Sequence, residues 1–204
     1  MESRRLILAS SNAGKLRELR ALLAPLAVEV VAQSELGIAA ADEPHATFVE
    51  NALAKARQAA RASGLPALAD DSGLCCVALA GAPGVRSARL AGPAATDADN
   101  NAELIRRLAP HADRRAHYVC VVVALRHADD PEPLIAQGRL AGRIGLALAG
   151  QGGFGYDPLF VLSDNRTLAQ CDAAEKNRIS HRARALQDLL PMLRTRWGWT
   201  MPQS

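Results

Sequence analysis

The chain has 204 residues, of which 49% are hydrophobic and 22% charged, so it can bury a sizeable core and is not intrinsically disordered. Its net charge of +3 is mild, which argues against binding to a long polyanion such as nucleic acid. No apolar run approaches the ~20 residues of a membrane span and no signal peptide is recognisable, so we expect a cytoplasmic protein without a membrane partner.

A strand followed by a small polar loop and a helix is predicted at the N-terminus. Residues 6–9 are apolar, and leucines recur at helical spacing from Leu16 onward. The loop between them reads Ser10-Ser11-Asn12-Ala13-Gly14-Lys15. Backbone N–H groups at such a helix start can bind phosphate, with Lys15 as a nearby cation. A capped helix with a solvated lysine explains the pattern equally well.

The second region combines a strand, an acidic loop and an Ala-rich helix. Residues 28–31 predict the strand, and the loop at 37–45 carries Asp42 and Glu43. A capping-box pattern at residues 47–50 starts a helix that ends near Gly64. Lys55 becomes a candidate site residue only if its helix face turns inward.

Two adjacent carboxylates, Asp70 and Asp71, follow a short apolar run at residues 65–69. The Ser72-Gly73 pair after them predicts that the strand ends in a turn. Neighbouring carboxylates are costly to hold together, so a metal ion, a shared proton or a cation is expected to relieve them. Turn chemistry alone is the simpler explanation, but together with the other loops we favour a site.

Further elements follow in order. Residues 81–93 are too rich in Gly and Pro for regular structure, and a helix is expected over 100–109. The strongest strand signal is at 116–125, with a hairpin partner at 133–144. Cys75, Cys76, Cys120 and Cys171 show no metal-binding or disulfide spacing, and the first three resemble small buried hydrophobes.

A glycine-rich loop at 150–158 carries Phe154 and Tyr156, two of the seven aromatic residues in the chain. Glycine allows close approach of the backbone to a ligand, and an exposed ring can stack on a base. A bulged hairpin loop whose rings join a minor core is the alternative. A strand is expected at 159–162.

A final helix is predicted, with Ser180 as its N-cap and a leucine stripe from Leu186. This prediction places His181 and Arg182 in the first turn, where cations oppose the helix dipole. The arrangement therefore indicates an anionic or acceptor-rich partner. No repeat or flexible linker occurs, so we expect a single domain over residues 1–204.

Five motifs in register resemble the inosine/xanthosine triphosphate pyrophosphatase family over most of the chain. They are Ser10 to Lys15, Ala69 to Leu74, Gly81 to Gly84, Gly153 to Pro158, and Ile179 to Arg182. The resemblance implies an α/β fold with an elongated mixed β-sheet, flanking helices and two lobes around a central cleft. It also implies Mg²⁺-dependent hydrolysis of ITP, dITP or XTP to the monophosphate and pyrophosphate, by a homodimer.

The resemblance also implies a role for each matching residue. Asp71 would be the general base, and Glu43 and Asp71 would bind Mg²⁺, with Asp70 as the alternative to Asp71 near the ion. The triphosphate and base would be bound by Ser10, Ser11, Asn12, Ala13, Gly14, Lys15, Lys55, Ser72, Phe154, Gly155, Tyr156, Asp157, Lys176, His181 and Arg182. Among these, Phe154 would stack on the base, and His181 and Arg182 would contact the purine edge.

One departure leaves an alternative for the metal ligand. Many relatives read Glu-Thr-Gly where this chain has Glu43-Pro44-His45, so the neighbouring Asp42 is a second candidate for the metal ligand.

Two other functions are alternatives to triphosphate pyrophosphatase activity on deaminated purines. The Phe154 loop and residues 180–182 argue against a Maf-like pyrophosphatase of modified pyrimidine nucleotides. The intact carboxylates argue against a nucleotide-binding regulator that does not catalyse.

Overall fold

A computed structural model describes residues 4–26 and 28–199 as an α/β protein. The strands are β1 (Arg5–Leu8), β2 (Glu29–Ala32), β3 (Ala67–Cys76), β4 (Arg115–Leu125), β5 (Leu134–Ile144) and β6 (Phe160–Val161). The helices are α1 (Ala13–Leu23), α2 (Phe48–Ser63), α3 (Asp97–Leu108), α4 (Ala173–Ile179) and α5 (His181–Trp197). Among the described residues, none of the helices is both long enough and apolar enough to cross a bilayer.

The six strands form one mixed sheet in the order β2-β1-β3-β4-β5-β6. β1 pairs in parallel with both β2 and β3, whereas β5 and β6 are antiparallel. The β-branched run in β4 and the alternating exposure of β5 explain why these two strands were readily predicted. The expected α/β fold with a mixed sheet and flanking helices is confirmed.

The chain divides into two compact units. The first comprises the described parts of Met1–Asp71, Cys120–Gly138 and Arg182–Ser204. Its core packs leucines of β1, α1 and α5 against small residues of β4, and Leu189 is fully buried. Burying a leucine side chain contributes roughly 1.5–3 kcal/mol, so the leucine stripe of α5 accounts for much of its attachment.

The second unit comprises Ser72–Val119 and Arg139–His181. Its core combines Leu104 and Leu108 of α3 with Tyr118, Phe160 and neighbouring apolar side chains. The rings of Tyr118 and Phe160 lie 4.7 Å apart and tilted by 43°. Three of the chain's seven aromatic residues, Tyr118, Tyr156 and Phe160, therefore pack in this core.

Helix ends follow the sequence signals closely. The Thr47 side chain accepts from the Glu50 N–H at the start of α2, and Gly64 ends this helix with φ +69°. Thr96 caps α3 in the same way, with Asp99 as its capping-box partner. The predicted boundaries of α2 are confirmed.

One prediction about the ends of the elements is corrected. The strand does not end in a turn at Ser72-Gly73, because β3 continues through the two carboxylates to Cys76. Nearly every residue of β3 is buried, and burial on both faces favours an extended strand over a turn. Ala173–Ile179 forms a further helix, α4, and α5 begins at His181 directly after Ser180, so His181 and Arg182 lie in the first turn of α5 as predicted.

Gly73 is required by close packing within the second unit. A Cβ atom at this position would lie 2.2 Å from the Gly84 carbonyl oxygen and 2.6 Å from Ser87 Oγ. Ser87 Oγ is itself fixed, because it accepts from the Leu74 N–H at 2.9 Å and donates to the Gly84 carbonyl at 2.6 Å. The neighbouring atoms therefore have little room to move away.

We expect Gly73→Ala to lower the free energy of unfolding by about 1–3 kcal/mol, the usual cost of overpacking. Denaturant unfolding of the variant and the parent chain measures this difference. An unchanged midpoint and slope would show that the segment around Gly84 moves aside without cost.

Candidate active site

The first unit contains a buried group of charged side chains, which we call the charge cluster. Its members are Lys15, Glu18, Glu43, Lys55, Asp70, Asp71 and Arg182. They come from α1, α2, β3, α5 and the loop before α2. Buried charges are tolerated where opposite charges and hydrogen bonds compensate the lost solvation, and this cluster meets that condition.

Asp71 is 3% exposed and is held by two side chains of α2. Asn51 Nδ2 donates to Asp71 Oδ2 at 3.2 Å, and Lys55 Nζ lies 3.4 Å from Asp71 Oδ1. Burial raises the pKa of Asp71; the Lys55 and Lys15 charges oppose that effect only in part, and the net pKa lies above its usual range. A carboxylate with a raised pKa is a stronger proton acceptor than an ordinary aspartate.

Asp70 is 1% exposed and is bound by cations from two other elements. Lys15 Nζ lies 3.2 Å from Asp70 Oδ2, and Arg182 Nη2 lies 3.1 Å from the same oxygen. Burial favours the neutral acid, but the charges of Lys15, Arg182 and Lys55 outweigh it and hold the pKa of Asp70 well below its usual range. The ionised form of Asp70 is therefore strongly favoured.

Arg182 connects α5 to this cluster. Its side chain is 1% exposed, and besides Asp70 it pairs with Glu18 of α1. Burial alone would lower the pKa of Arg182, but Asp70 and Glu18 raise it, so the guanidinium stays charged. In the first unit Arg182 thus joins α1, β3 and α5 electrostatically.

Lys55 turns inward, as the site hypothesis required. Residues 51, 52, 55, 56, 59 and 60 form the buried face of α2, so Asn51 and Lys55 continue a face otherwise made of alanine. Lys55 Nζ also lies 2.6 Å from Glu43 Oε1, which draws the acidic loop to the cluster. Burial lowers the pKa of Lys55, whereas Asp71, Asp70 and Glu43 raise it above its normal value overall.

The carboxylates around Lys55 suit a magnesium ion whose coordination sphere is completed by ligands from outside the protein. Glu43 and Asp71 contact the same ammonium group, whereas Asp42 is exposed, which favours Glu43 of the two candidates. Within residues 4–26 and 28–199, no group of three or more His, Cys, Asp or Glu could hold a metal alone. Mg²⁺ commonly uses one or two carboxylates together with water and phosphate oxygens, and the residues present satisfy that need.

The loop before α1 presents the start of that helix beside Lys15. Asn12 caps the helix, because its side chain accepts from the Lys15 N–H at 3.0 Å, and Ser10 Oγ in turn accepts from the Asn12 N–H at 3.3 Å. Ser11 and Ala13 are exposed in the same segment. The two hydrogen bonds fix the conformation of the loop at the start of α1.

In the second unit, Asp157 organises the glycine-rich loop. Its side chain is 2% exposed and accepts from the Phe154 N–H at 3.0 Å, from Lys176 Nζ at 2.6 Å and from the Tyr118 hydroxyl at 3.3 Å. Gly153 has φ +75°, and a Cβ there would lie 2.0 Å from Asp157 Oδ2. This glycine is thus required for the carboxylate to fold back under the loop.

Lys176 of α4 lies beside Phe154 of the glycine-rich loop. Lys176 Nζ lies 4.4 Å from the centre of the half-buried Phe154 ring, close enough for a cation–π interaction. The Tyr156 side chain is buried, and its hydroxyl donates to the Ser87 carbonyl at 2.8 Å. Tyr156 therefore contributes to the core and anchors the loop.

His181 lies at the start of α5 and is 6% exposed. Its ring stacks on Tyr118 with 4.6 Å between ring centres and an angle of 10°. Because Tyr118 also binds Asp157, one tyrosine links His181 to the Phe154 loop. Ser72, the remaining predicted residue of this unit, follows Asp71 in β3 and is half-buried.

The predicted site residues therefore form two groups, one in each unit. Lys15, Lys55, Asp71, Glu43 and Arg182 share the charge cluster. Phe154, Asp157, Lys176 and His181 share the second group, through Tyr118. Sequence reasoning overlooked the roles of Glu18 and Tyr118. Both occur in regular helix and strand patterns, and no local signal distinguishes them from ordinary surface or core positions.

The fold and these groups define an α/β protein that holds the paired carboxylates of β3 beside lysines of α1 and α2. Comparison with known proteins gives its family. A family model described as Ham1 family matches residues 6–192. The chain belongs to the Ham1 family.

Similarity to individual relatives supports the family assignment. The chain is 62% identical to a dITP/XTP pyrophosphatase from Ralstonia nicotianae over 195 residues, covering 94% of this chain and 97% of that one. It is 60% identical to a dITP/XTP pyrophosphatase from Aromatoleum aromaticum, with the same shares covered. Among solved structures, a HAM1 protein from Coxiella burnetii has a TM-score of 0.87 at 45% identity, covering 93% of this chain and 98% of that one.

Proposed function

We propose that this protein hydrolyses the deaminated purine nucleoside triphosphates ITP, dITP and XTP to the monophosphate and pyrophosphate. The observation that carries the proposal is the buried Asp71 carboxylate, which has a raised pKa and lies between Asn51 and Lys55. The names of relatives about 60% identical over most of the chain support the choice of substrate.

Asp71 acts as the general base in this proposal. It accepts a proton from a water molecule whose oxygen forms a bond to the α-phosphorus. The bond between the α-phosphorus and the oxygen that bridges to the β-phosphorus breaks, and pyrophosphate leaves with that oxygen and its electron pair. Asn51 and Lys55 hold the two carboxylate oxygens, so the base is oriented before the substrate arrives.

We propose Glu43 and Asp71 as the residues that hold Mg²⁺. The bound ion would neutralise charge that develops on the phosphate oxygens. Lys55 Nζ contacts both carboxylates, at 2.6 Å from Glu43 and 3.4 Å from Asp71, and so holds them close to each other. Asp70 is committed to Lys15 and Arg182, so we assign it an electrostatic role near the metal ligands.

The triphosphate is assigned to the loop of residues 10–15 and to Lys55. The capped start of α1 offers backbone N–H groups, and Lys15 adds a positive charge with a partly exposed side chain. A triphosphate brings about four negative charges, and anchoring it requires several such donors.

The base is assigned to the second unit. Phe154 would stack on the purine, with Gly155, Tyr156 and Asp157 shaping the loop and Ser72 contributing a hydroxyl. Lys176 lies beside the Phe154 ring, so we propose that it serves the base end of the substrate rather than the triphosphate.

Selectivity follows from the oxygen at position 6 of hypoxanthine and xanthine. A donor aimed at this position pairs with the oxygen but leaves the amino group of adenine unsatisfied. Such mispairing can cost a factor of about 10⁴ in discrimination. We propose His181 and the Phe154 loop as the source of these donors. For Arg182, which is held by Asp70 and Glu18, we propose an electrostatic role.

A pyrophosphate-release assay tests the function directly. The protein is incubated with ITP, dITP, XTP, GTP, ATP and TTP, with and without Mg²⁺. We expect rapid release from the first three, weak release from the others, and loss of activity when EDTA removes the metal. Comparable rates on all six nucleotides, or inorganic phosphate as the product, would contradict the proposal.

Lys15→Ala is expected to raise the KM for ITP by about 10- to 100-fold, because a charge-assisted contact to phosphate contributes roughly 1.5–3 kcal/mol. Steady-state kinetics with ITP measures the change. Arg17→Ala is the control, since Arg17 is exposed on the same helix. A KM that stays within twofold of the parent value would remove Lys15 from the phosphate site.

We also propose that the protein is a cytoplasmic homodimer and folds as a single domain. Four chain crossings between the two units support the single-domain proposal, because neither unit is a continuous segment. Light scattering coupled to gel filtration gives the oligomeric state, and one cooperative unfolding transition would support a single domain.

A further inference from the structure

Side chains of helix α3 bind both backbone polar groups of Gly155, its N–H and its carbonyl. The Gly155 N–H donates to Asp97 Oδ2 at 2.6 Å, and the Gly155 carbonyl accepts from Asn101 Nδ2 at 2.9 Å. Asp97 and Asn101 lie one turn apart, at the start of α3. All three residues belong to the second unit.

The orientation of the Asn101 side chain that permits this contact leaves its oxygen without a hydrogen bond among the described residues. The side chain is 4% exposed, and Nδ2 donates to the Asp97 carbonyl at 2.7 Å as well as to Gly155. Both partners are carbonyl oxygens, so the nitrogen must face them. The Oδ1 atom is then buried without a hydrogen-bond partner among the described residues, an arrangement that lowers stability.

These contacts fix the residue next to Phe154. Gly155 has φ +61°, a left-handed conformation that sets the direction of the chain directly after Phe154. Asp157 holds the Phe154 N–H on the other side. The peptide groups on both sides of the Phe154 ring are thus held, one by Asp157 and the other by α3.

We propose that Asp97 and Asn101 are positioning residues that set the direction of the Phe154 ring for base stacking. The inference rests on the proposed function, because it assumes that Phe154 binds the purine. Neither residue needs to contact the substrate. They act on the position of the Phe154 ring through the backbone of Gly155.

The first experiment compares Asn101→Ala with Asn100→Ala. Asn100 is the adjacent residue of α3 and is also buried, but it binds the Ala88 carbonyl and the Ala91 N–H. Asn101→Ala is expected to raise the KM for ITP about tenfold, since stacking of a base on an aromatic ring contributes on that order, while kcat changes less than twofold. Asn100→Ala is expected to keep KM within twofold even if it lowers stability.

A double-mutant cycle shows whether the effect passes through the ring. In a Phe154→Ala background, Asn101→Ala should change KM less than twofold, because no ring remains to be positioned. An undiminished tenfold effect in that background would overturn the proposal. Asp97→Ala should raise the KM for ITP, and Asp97→Asn should raise it much less. The amide oxygen of asparagine can still accept from the Gly155 N–H.

Amide hydrogen exchange separates this inference from the proposed function. In Asp97→Ala, the Gly155 amide should exchange at least tenfold faster than in the parent chain, whether or not the protein hydrolyses ITP. Unchanged exchange would overturn the contact that carries the inference. Absence of pyrophosphate release by the parent chain on every purine nucleotide would overturn the proposed function and the role in base binding with it.

Discussion

Replacing Asp71 with asparagine is expected to lower kcat for ITP by about 10²- to 10⁴-fold, the usual contribution of a general base. Asparagine has nearly the same shape and can still contact Asn51 and Lys55, but it cannot take a proton from water. Because Lys55 keeps its contact with Glu43, the fold should survive. Single-turnover measurement of pyrophosphate release gives the rate of the chemical step.

Asp129→Asn is the matched control for this variant. Asp129 is exposed and pairs with Arg61 at the surface, so the same chemical change there should leave kcat within twofold. Circular dichroism and thermal unfolding show whether each variant is folded. A folded Asp71→Asn protein with more than a tenth of the parent kcat would assign proton transfer to another group.

Asp70 and Asp71 are neighbours in β3, yet their environments push their pKa values in opposite directions. Asp70 faces Lys15 and Arg182 and is held ionised. Asp71 faces an amide and one lysine, and its pKa is raised by burial. Two carboxylates with separated pKa values commonly divide roles between charge stabilisation and proton transfer. The strand conformation explains the division, since consecutive side chains of a strand point to opposite faces.

Local signals in the sequence were sufficient to predict the helices and strands that position the charge cluster. The Thr47 cap and Gly64 define α2, and its alanine face determines which way Lys55 points. The β-branched run of residues 119–123 defines β4. These predictions succeed because each depends on residues within a few positions of one another.

The failures concern interactions between distant positions. Ser72 and Gly73 have the composition of a turn, and only the nearby Gly84 carbonyl and Ser87 hydroxyl explain why an extended glycine is needed there. The ion pair between Glu18 and Arg182 joins residues 164 positions apart. No pattern in a single sequence identifies such a pair.

Arg182→Met is expected to lower the free energy of unfolding by about 3–5 kcal/mol, the usual cost of removing one partner from a buried ion pair. Methionine fills much of the same volume, so the loss arises from charge rather than from a cavity. Glu18, which is 8% exposed, and the fully buried Asp70 would lose a shared cation, although Asp70 keeps Lys15. Urea unfolding measures the difference.

Two further variants separate the electrostatic cause from a general weakening of α5. Arg194 is exposed on the same helix, and Arg194→Met should change stability by no more than about 0.5 kcal/mol. Adding Glu18→Gln to Arg182→Met should recover part of the loss, because the stranded carboxylate becomes neutral. If the double variant is as unstable as the sum of the two single changes, the Glu18–Arg182 pair does not join α1 to α5 energetically, and Arg182 stabilises the first unit through Asp70 alone.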